Sequence, residues 1–241
     1  MVQRNPAARF MGGAWVFPGG SVDEGDESVA ACAAVSSSDP RLLVWRAAAL
    51  RELVEETGIW VLESGAAVSA ERPIGDAVFA SALEHDRHLA GDSLRFFANW
   101  ITPTSLPIRF DTRFFVAVAP GGLDPIVDGR ELIDAAWIRP DDALRRADSG
   151  TWAVAFPTRR ILEYLGSFGS TRQMLDDIAS QASIESIEPR LSVVDGTVEV
   201  LMPGDPRFDD AAIEEGDPAL LDALERIARS GDGTLPEVES A

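Results

Sequence analysis

The chain has no lysine: all 21 of its basic residues are arginine, set against 40 acidic ones, for a formal net charge of −19 over 241 residues. That balance, with a pI near 4.4, excludes the basic stripe that a nucleic-acid surface needs. It also repels polyanions at long range, so a phosphate-bearing ligand has to be received by a metal ion and by local arginines. A single cysteine, Cys32, excludes a disulfide framework. Its setting, AACAAV, predicts a small buried packing residue. Long apolar runs are missing too, so no membrane span is expected. The N-terminus lacks the charged-then-apolar layout of a signal peptide. Together these absences lead to the expectation of a soluble, cytoplasmic protein.

What is present centres on Trp45 to Trp60, WRAAALRELVEETGIW. At about 100° per residue, Glu55 and Glu56 fall within roughly 60° of Glu52 on a helix, while Leu50, Leu53, Val54 and Thr57 cluster opposite. Like charges one turn apart cost a helix a few tenths of a kcal/mol, so a compensating partner is expected. Two readings stand. The acids form a solvated helix face, as most Glu-rich helices do, or they hold a hard divalent cation, which takes carboxylates plus substrate phosphates. Arg51, four residues before Glu55, is placed to fix one carboxylate by a charge-assisted hydrogen bond.

Upstream lies a glycine-rich acidic turn, FPGGSVDEGDE, from Phe17 to Glu27. Together the two stretches resemble the Nudix box, G-x5-E-x7-R-E-U-x-E-E-x-G-U with U aliphatic. Arg51 to Ile59 match its second half without a gap, and Gly20 supplies the first glycine. The acid after five intervening residues is Asp26 instead of Glu, with Glu27 beside it. Between Asp26 and Arg51 stand 24 residues where the pattern has seven. An insertion inside the box is similar to that of the peroxisomal-type coenzyme A diphosphatases. Arg4, Arg9, Gly13 and Phe17-Pro18-Gly19-Gly20 also resemble that subgroup's signature, with Asn5 at its small-residue position and its leading Leu-Leu-Thr absent. Guanidinium forks suit phosphate, yet both arginines read equally well as surface residues.

The resemblance implies an α/β/α Nudix sandwich with a mixed sheet, and a metal-dependent diphosphatase. Mg²⁺ or Mn²⁺ would be held by Glu52, Glu55, Glu56 and Asp26, the catalytic residues would be Arg51, Glu52 and Glu55, and the substrate would meet Arg4, Arg9, Gly19 and Gly20. The implied substrate is a small-molecule nucleoside diphosphate derivative, with coenzyme A or acyl-CoA first, ADP-ribose or NADH second, and a non-catalytic nucleotide-binding module as the rival. The family also admits a homodimer. A general base outside the box has three candidates, Glu84, Asp86 and Glu131.

The rest of the chain reads as a frame for this site. Residues 1–150 are expected to form the Nudix domain, its first strand cut short at Val2 to Arg4. Residues 151–241 are expected to add helices, a β-hairpin and an acidic tail. Further strands are expected at Ala14 to Phe17, Ile59 to Leu62, Phe96 to Thr102, Thr112 to Ala119 and Glu131 to Pro140. Helices are expected at Ser28 to Val35, Arg41 to Thr57 with Pro40 near its first position and Gly58 beyond its end, Pro73 to His88, Pro157 to Leu165 and Thr171 to Gln181. Asp195-Gly196 signals a two-residue hairpin turn, and Pro218 to Ala228 an amphipathic helix. His85 and His88 are either metal ligands or a solvated helix end, and Arg109 and Arg113 face substrate or form structural ion pairs.

Overall fold

The computed structural model describes residues 1–65, 67–69, 72–119, 123–194, 197–209 and 211. The Asp195-Gly196 turn and the Pro218 to Ala228 helix lie outside them. By contacts between Cα atoms the chain divides into two units. The first holds residues 1–8, 16–96 and 115–137, the second residues 9–15, 97–114 and 138–241.

The first unit is built around helix α2, Leu43–Thr57. Ala47, Leu50 and Val54 repeat at the spacing of one helix face and are all buried. They join Trp60, Phe79 and Leu89 in one apolar cluster. Full burial of a Leu or Val stabilises by about 1.5–3 kcal/mol each, so this face alone anchors the helix. α2 starts later than its sequence suggests. Pro40 sits in a turn, with Leu42 N–H donating to Asp39 and Arg46 N–H donating to Leu42 as the first helical bond. The end is as expected: Gly58, at φ 68°, takes the left-handed conformation that glycine tolerates.

The inserted residues fold rather than loop out. Glu24–Glu27 form a 3-10 turn and Val29–Ala34 form α1, with the Ser28 hydroxyl accepting from Ala31 N–H. Ala31 and Ala34 are buried, but Cys32 is exposed. It lies on the face of α1 turned from the core, which corrects the expectation of a packing residue. Helix α3 runs only Ala77–Glu84. Left-handed backbone at Gly75 (φ 62°) and Asp86 (φ 51°) brackets it, stopping it short of Pro73 and His88.

The strands of this unit are short. β1, Val2–Arg4, pairs antiparallel with β7, Leu132–Ala135, with a register shift between Gln3 and Arg4. β2, Trp15–Val16, adds to β1 in the order β2-β1-β7. β3, Ile59–Val61, pairs antiparallel with β4, Ala67–Ser69.

In the second unit, most of β5, Arg95–Ile101, and of β6, Asp111–Val116, run as neighbours. β8, Ser186–Ile187, which the sequence did not suggest, adds to β5 in parallel. α4, Pro140–Asp148, is followed by α5, Phe156–Gly166, and α6, Thr171–Ser180, the last two where helices were expected. Asp141 and Asp142 sit in the first turn of α4, where the helix dipole favours acids. β9, Arg190–Val194, and β10, Thr197–Leu201, pair antiparallel with Val194 opposite Thr197, the register of a two-residue connection. No described helix is long and apolar enough to cross a membrane.

Candidate active site

The Arg51 side chain is 3% exposed, and its partners are four carboxylates and a backbone carbonyl. Its Nε donates to Asp26 Oδ1 at 2.8 Å and its Nη2 to Asp26 Oδ2 at 2.9 Å, a bidentate fork. Nη2 also donates to the Ser21 carbonyl at 2.9 Å. Nη1 donates to Glu52 Oε1 at 2.9 Å and to Glu55 Oε1 at 3.2 Å. One guanidinium therefore fixes two of the three box carboxylates. Burial alone would lower its pKa, but the Asp26 hydrogen bonds and charge, with those of Glu52, raise it instead.

Asp26 is fully buried and commits both oxygens, since Oδ2 also accepts from Asp23 N–H at 2.9 Å. Asp23 returns the favour as N-cap of the 3-10 turn, its side chain accepting from Gly25 N–H. Asp23 Oδ2 lies 3.6 Å from Arg51 Nη2. The sequence reading missed Asp23, although an acid three residues before another is the capping-box pattern.

The three glutamates behave differently from Asp26. Glu52 commits Oε1 to Arg51. Glu55 commits Oε1 to Arg51 and to Gly75 N–H at 2.7 Å. Glu56 commits Oε2 to Gly19 N–H at 2.8 Å. In each, one oxygen is used for positioning and the other has no hydrogen-bond donor among the described residues. Gly75 carried no sequence signal, because it approaches only through the fold. Gly20 lies against the Glu52 carboxylate so closely that a Cβ there would overlap it.

The electrostatics show what the arrangement lacks. Burial raises the pKa of Glu56 to about 8, helped by the charges of Glu52 and Glu131 and opposed by Gly19 N–H and Arg4. Burial also raises Glu52, with Arg51 opposing it. These are desolvated carboxylates short of positive charge. Among the described residues no three acidic, His or Cys side chains are already gathered around a metal position. The donor chemistry nonetheless fits a hard divalent cation, with one uncommitted oxygen on each glutamate.

The remaining candidates separate clearly. Arg4 acts on Glu56 electrostatically, and its Nε is buried without a hydrogen-bond partner. Arg9 is exposed and belongs to the second unit. Of the three outside bases, Glu131 is the one whose charge reaches Glu56. Glu84 and Asp86 are exposed at the end of α3. His85 is bonded to the Ser81 carbonyl and His88 lies 3.9 Å from Asp86, a solvated helix end. Arg109 pairs with Glu188 and Arg113 with Asp111, the structural alternative for both.

A solved structure, the crystal structure of a NUDIX hydrolase from Alicyclobacillus acidocaldarius, superposes on this chain with a TM-score of 0.62 and 28% identity. The match covers 76% of this chain and 88% of that one. This chain has the fold of a Nudix hydrolase. A Caenorhabditis elegans protein named "Putative nudix hydrolase 7" is 30% identical over 166 residues, 65% of this chain and 52% of that protein. The chain thus spans about half the length of that curated relative. Both relatives support placing it in the Nudix hydrolase family, while no family model matches it. The stretches that resemble the Nudix box are joined here, across the residues between them, by the Asp26–Arg51 fork.

Proposed function

We propose that the chain is a metal-dependent Nudix diphosphatase that hydrolyses the pyrophosphate bond of a nucleoside diphosphate derivative, with coenzyme A or an acyl-CoA as the first substrate class. The observation that carries this reading is the set of three half-buried glutamates on one side of α2, each held by one oxygen with the other uncommitted. Glu52, Glu55 and Glu56 would hold Mg²⁺ or Mn²⁺. A cation bound there supplies charge neutralisation for the diphosphate and a more acidic water. Arg51 positions Glu52 and Glu55, and Asp26 positions Arg51. Gly19 N–H orients Glu56, and Gly20 leaves room for the Glu52 carboxylate beside the loop backbone. In hydrolysis a water oxygen bonds to phosphorus, the bridging P–O bond breaks, and a carboxylate accepts the water proton. Glu131 is the outside candidate for that proton, since its charge already acts on Glu56. Arg4, in the same unit, would receive phosphoryl oxygens, and Arg9 belongs to the same resemblance.

The coenzyme A preference rests on Arg4, Arg9, Gly13 and the intact Phe17 to Gly20. ADP-ribose or NADH is the alternative at the same glutamates. A nucleotide-binding module without turnover is the reading favoured if the glutamate oxygens, not gathered as they stand, fail to converge on a cation.

The test is release of 3′,5′-ADP from coenzyme A with Mg²⁺ or Mn²⁺, with ADP-ribose and NADH in parallel, for wild type and Glu56→Gln. Metal-dependent cleavage, reduced at least about 100-fold in the variant, is expected, with coenzyme A ranked first. A folded wild-type chain that turns over none of these would leave the binding module in its place.

A further inference from the structure

The second unit carries an apolar pocket of about 190 Å³, open to solvent on one side past Phe10, Ile108 and Phe110, that the box chemistry does not use. Its wall includes Trp100, Leu106, Phe114, Phe156, Leu191 and Val200, and no charged residue is among the described residues that line it. The polar side-chain groups among the described lining residues are the Thr102 and Thr112 hydroxyls and the Trp100 indole N–H; the Thr102 hydroxyl is already an acceptor for Phe110 N–H, and the indole nitrogen is buried without a hydrogen-bond partner.

The wall is preformed. Trp100 meets Phe156 edge-on, with ring centroids 6.1 Å apart and planes at 76°. Leu191 and Val200 are directly paired across the β9/β10 ladder. Pro103, Pro157 and Pro189 also line the space and restrict the backbone that carries it. Two exposed rings, Phe10 and Phe110, contribute as well, 6.0 Å apart and tilted at 42°. A cavity between stiff aromatic and proline-bearing segments does not collapse by small side-chain shifts, so it stays available to a ligand.

Size and polarity select the occupant. An engineered apolar cavity of roughly 150 Å³ binds benzene and excludes water, so this one takes a ring molecule slightly larger. It is too small for a peptide helix, whose diameter with side chains is about 10–12 Å. A charged ligand would lose its hydration against a wall that offers no counter-charge. A nucleobase such as adenine, with several donors and acceptors, would leave most of them unpaired there.

We propose that this cavity is a binding site for a neutral, apolar, ring-containing small molecule. The proposal stands on the second unit alone and does not depend on the diphosphatase reading.

The full chain is titrated with 4-fluorotoluene and, separately, with its charged counterpart 4-fluorobenzoate. The readouts are the ¹⁹F line of each probe and the Trp100 indole N–H resonance, assigned by its loss in Trp100→Phe. The expected result is a saturable shift of that resonance with 4-fluorotoluene and at least tenfold weaker binding of 4-fluorobenzoate. Val200→Phe, which puts a ring into the space, weakens 4-fluorotoluene at least tenfold. Thr112→Phe serves as the filling variant if Val200→Phe does not fold as judged by its thermal melt. The proposal is overturned by the absence of a saturable shift in wild type, by equal binding of the two probes, or by undiminished binding in a folded filling variant. A Trp100 shift that follows protein concentration with no probe present also overturns it, because a second copy then covers the cavity.

Discussion

Replacing Asp26 by Asn is the most direct way to test whether the box is held together through Arg51. The change keeps the side-chain volume but leaves the fork's two N–H donors facing one amide oxygen and one NH₂ group in place of two acceptor oxygens. Arg51 loses one arm of a fork whose bonds measure 2.8 and 2.9 Å, at a position 3% exposed. Removing one member of a buried ion pair costs about 3–5 kcal/mol. Here Glu52 and Glu55 still balance the Arg51 charge, so the loss should sit near the lower end, about 3 kcal/mol. With a urea m-value of about 3 kcal/mol/M, the unfolding midpoint falls by about 1 M. Arg51→Met should cost more, about 4–5 kcal/mol, because it leaves Asp26 at 0% exposure with a single backbone donor. Because the two residues act on each other, the double variant should cost less than the sum of the singles by more than 1 kcal/mol, roughly the size of coupling seen between contacting residues. Urea unfolding of the four proteins in the cycle measures all of this. Single-variant losses below about 1 kcal/mol, or losses that simply add, would show that the fork holds nothing.

The Glu56 carboxyl predicts a pH dependence of stability in the absence of metal. Its pKa is raised from 4.5 to about 8 in the fold, so its contribution is fully present below pH 4.5 and is lost as pH rises through about 8, a change of at most about 5 kcal/mol. Unfolding midpoints between pH 5 and pH 8 should fall in wild type, stay flatter in Glu56→Gln, and recover in wild type on adding Mg²⁺; identical profiles for the two proteins would refute the assignment. Gly20→Ala should displace the Glu52 carboxylate, which is the mobile end of a side chain. Stability should therefore change by less than about 1 kcal/mol while metal-dependent turnover falls at least about tenfold, equivalent to about 1.4 kcal/mol in the barrier; unchanged turnover would mean the close approach is incidental.

How much of this was legible in the sequence follows from the range of each interaction. The box helix and its end were, because Arg51 to Ile59 carry a local pattern and Gly58 a local conformational demand. The hairpin strands β9 and β10 were for the same reason. Helix α3 was read too long, since nothing in residues 73–88 says that Gly75 and Asp86 adopt left-handed backbone. Cys32 was read as buried because small residues surround it in sequence, whereas burial is decided by which face of α1 meets the core. β8 is two residues long and exists only by pairing with β5. Gly75 reaches Glu55 across 20 positions and Gly19 reaches Glu56 across 37. No periodicity encodes contacts at that separation.

Asp26 shows how a motif can survive a change in its spacing. Grouped with the metal ligands by position in the motif, it commits both oxygens to Arg51 and Asp23, while each box glutamate keeps one uncommitted. On the proposed function that division has a chemical sense: the glutamate oxygens left uncommitted would be available to a cation, and Asp26 would act through Arg51. The 24 residues between Asp26 and Arg51 do not weaken that link, because the capping box of Asp23 and Asp26 sets the carboxylate locally and the buried fork fixes it to α2. The cost of closing a longer loop grows only as about (3/2)RT ln n, so extending it from seven residues to 24 adds about 1 kcal/mol. Two charge-assisted hydrogen bonds at a buried site contribute about 1.5–3 kcal/mol each, which outweighs that cost and lets α1 and its loop be added without loosening the box.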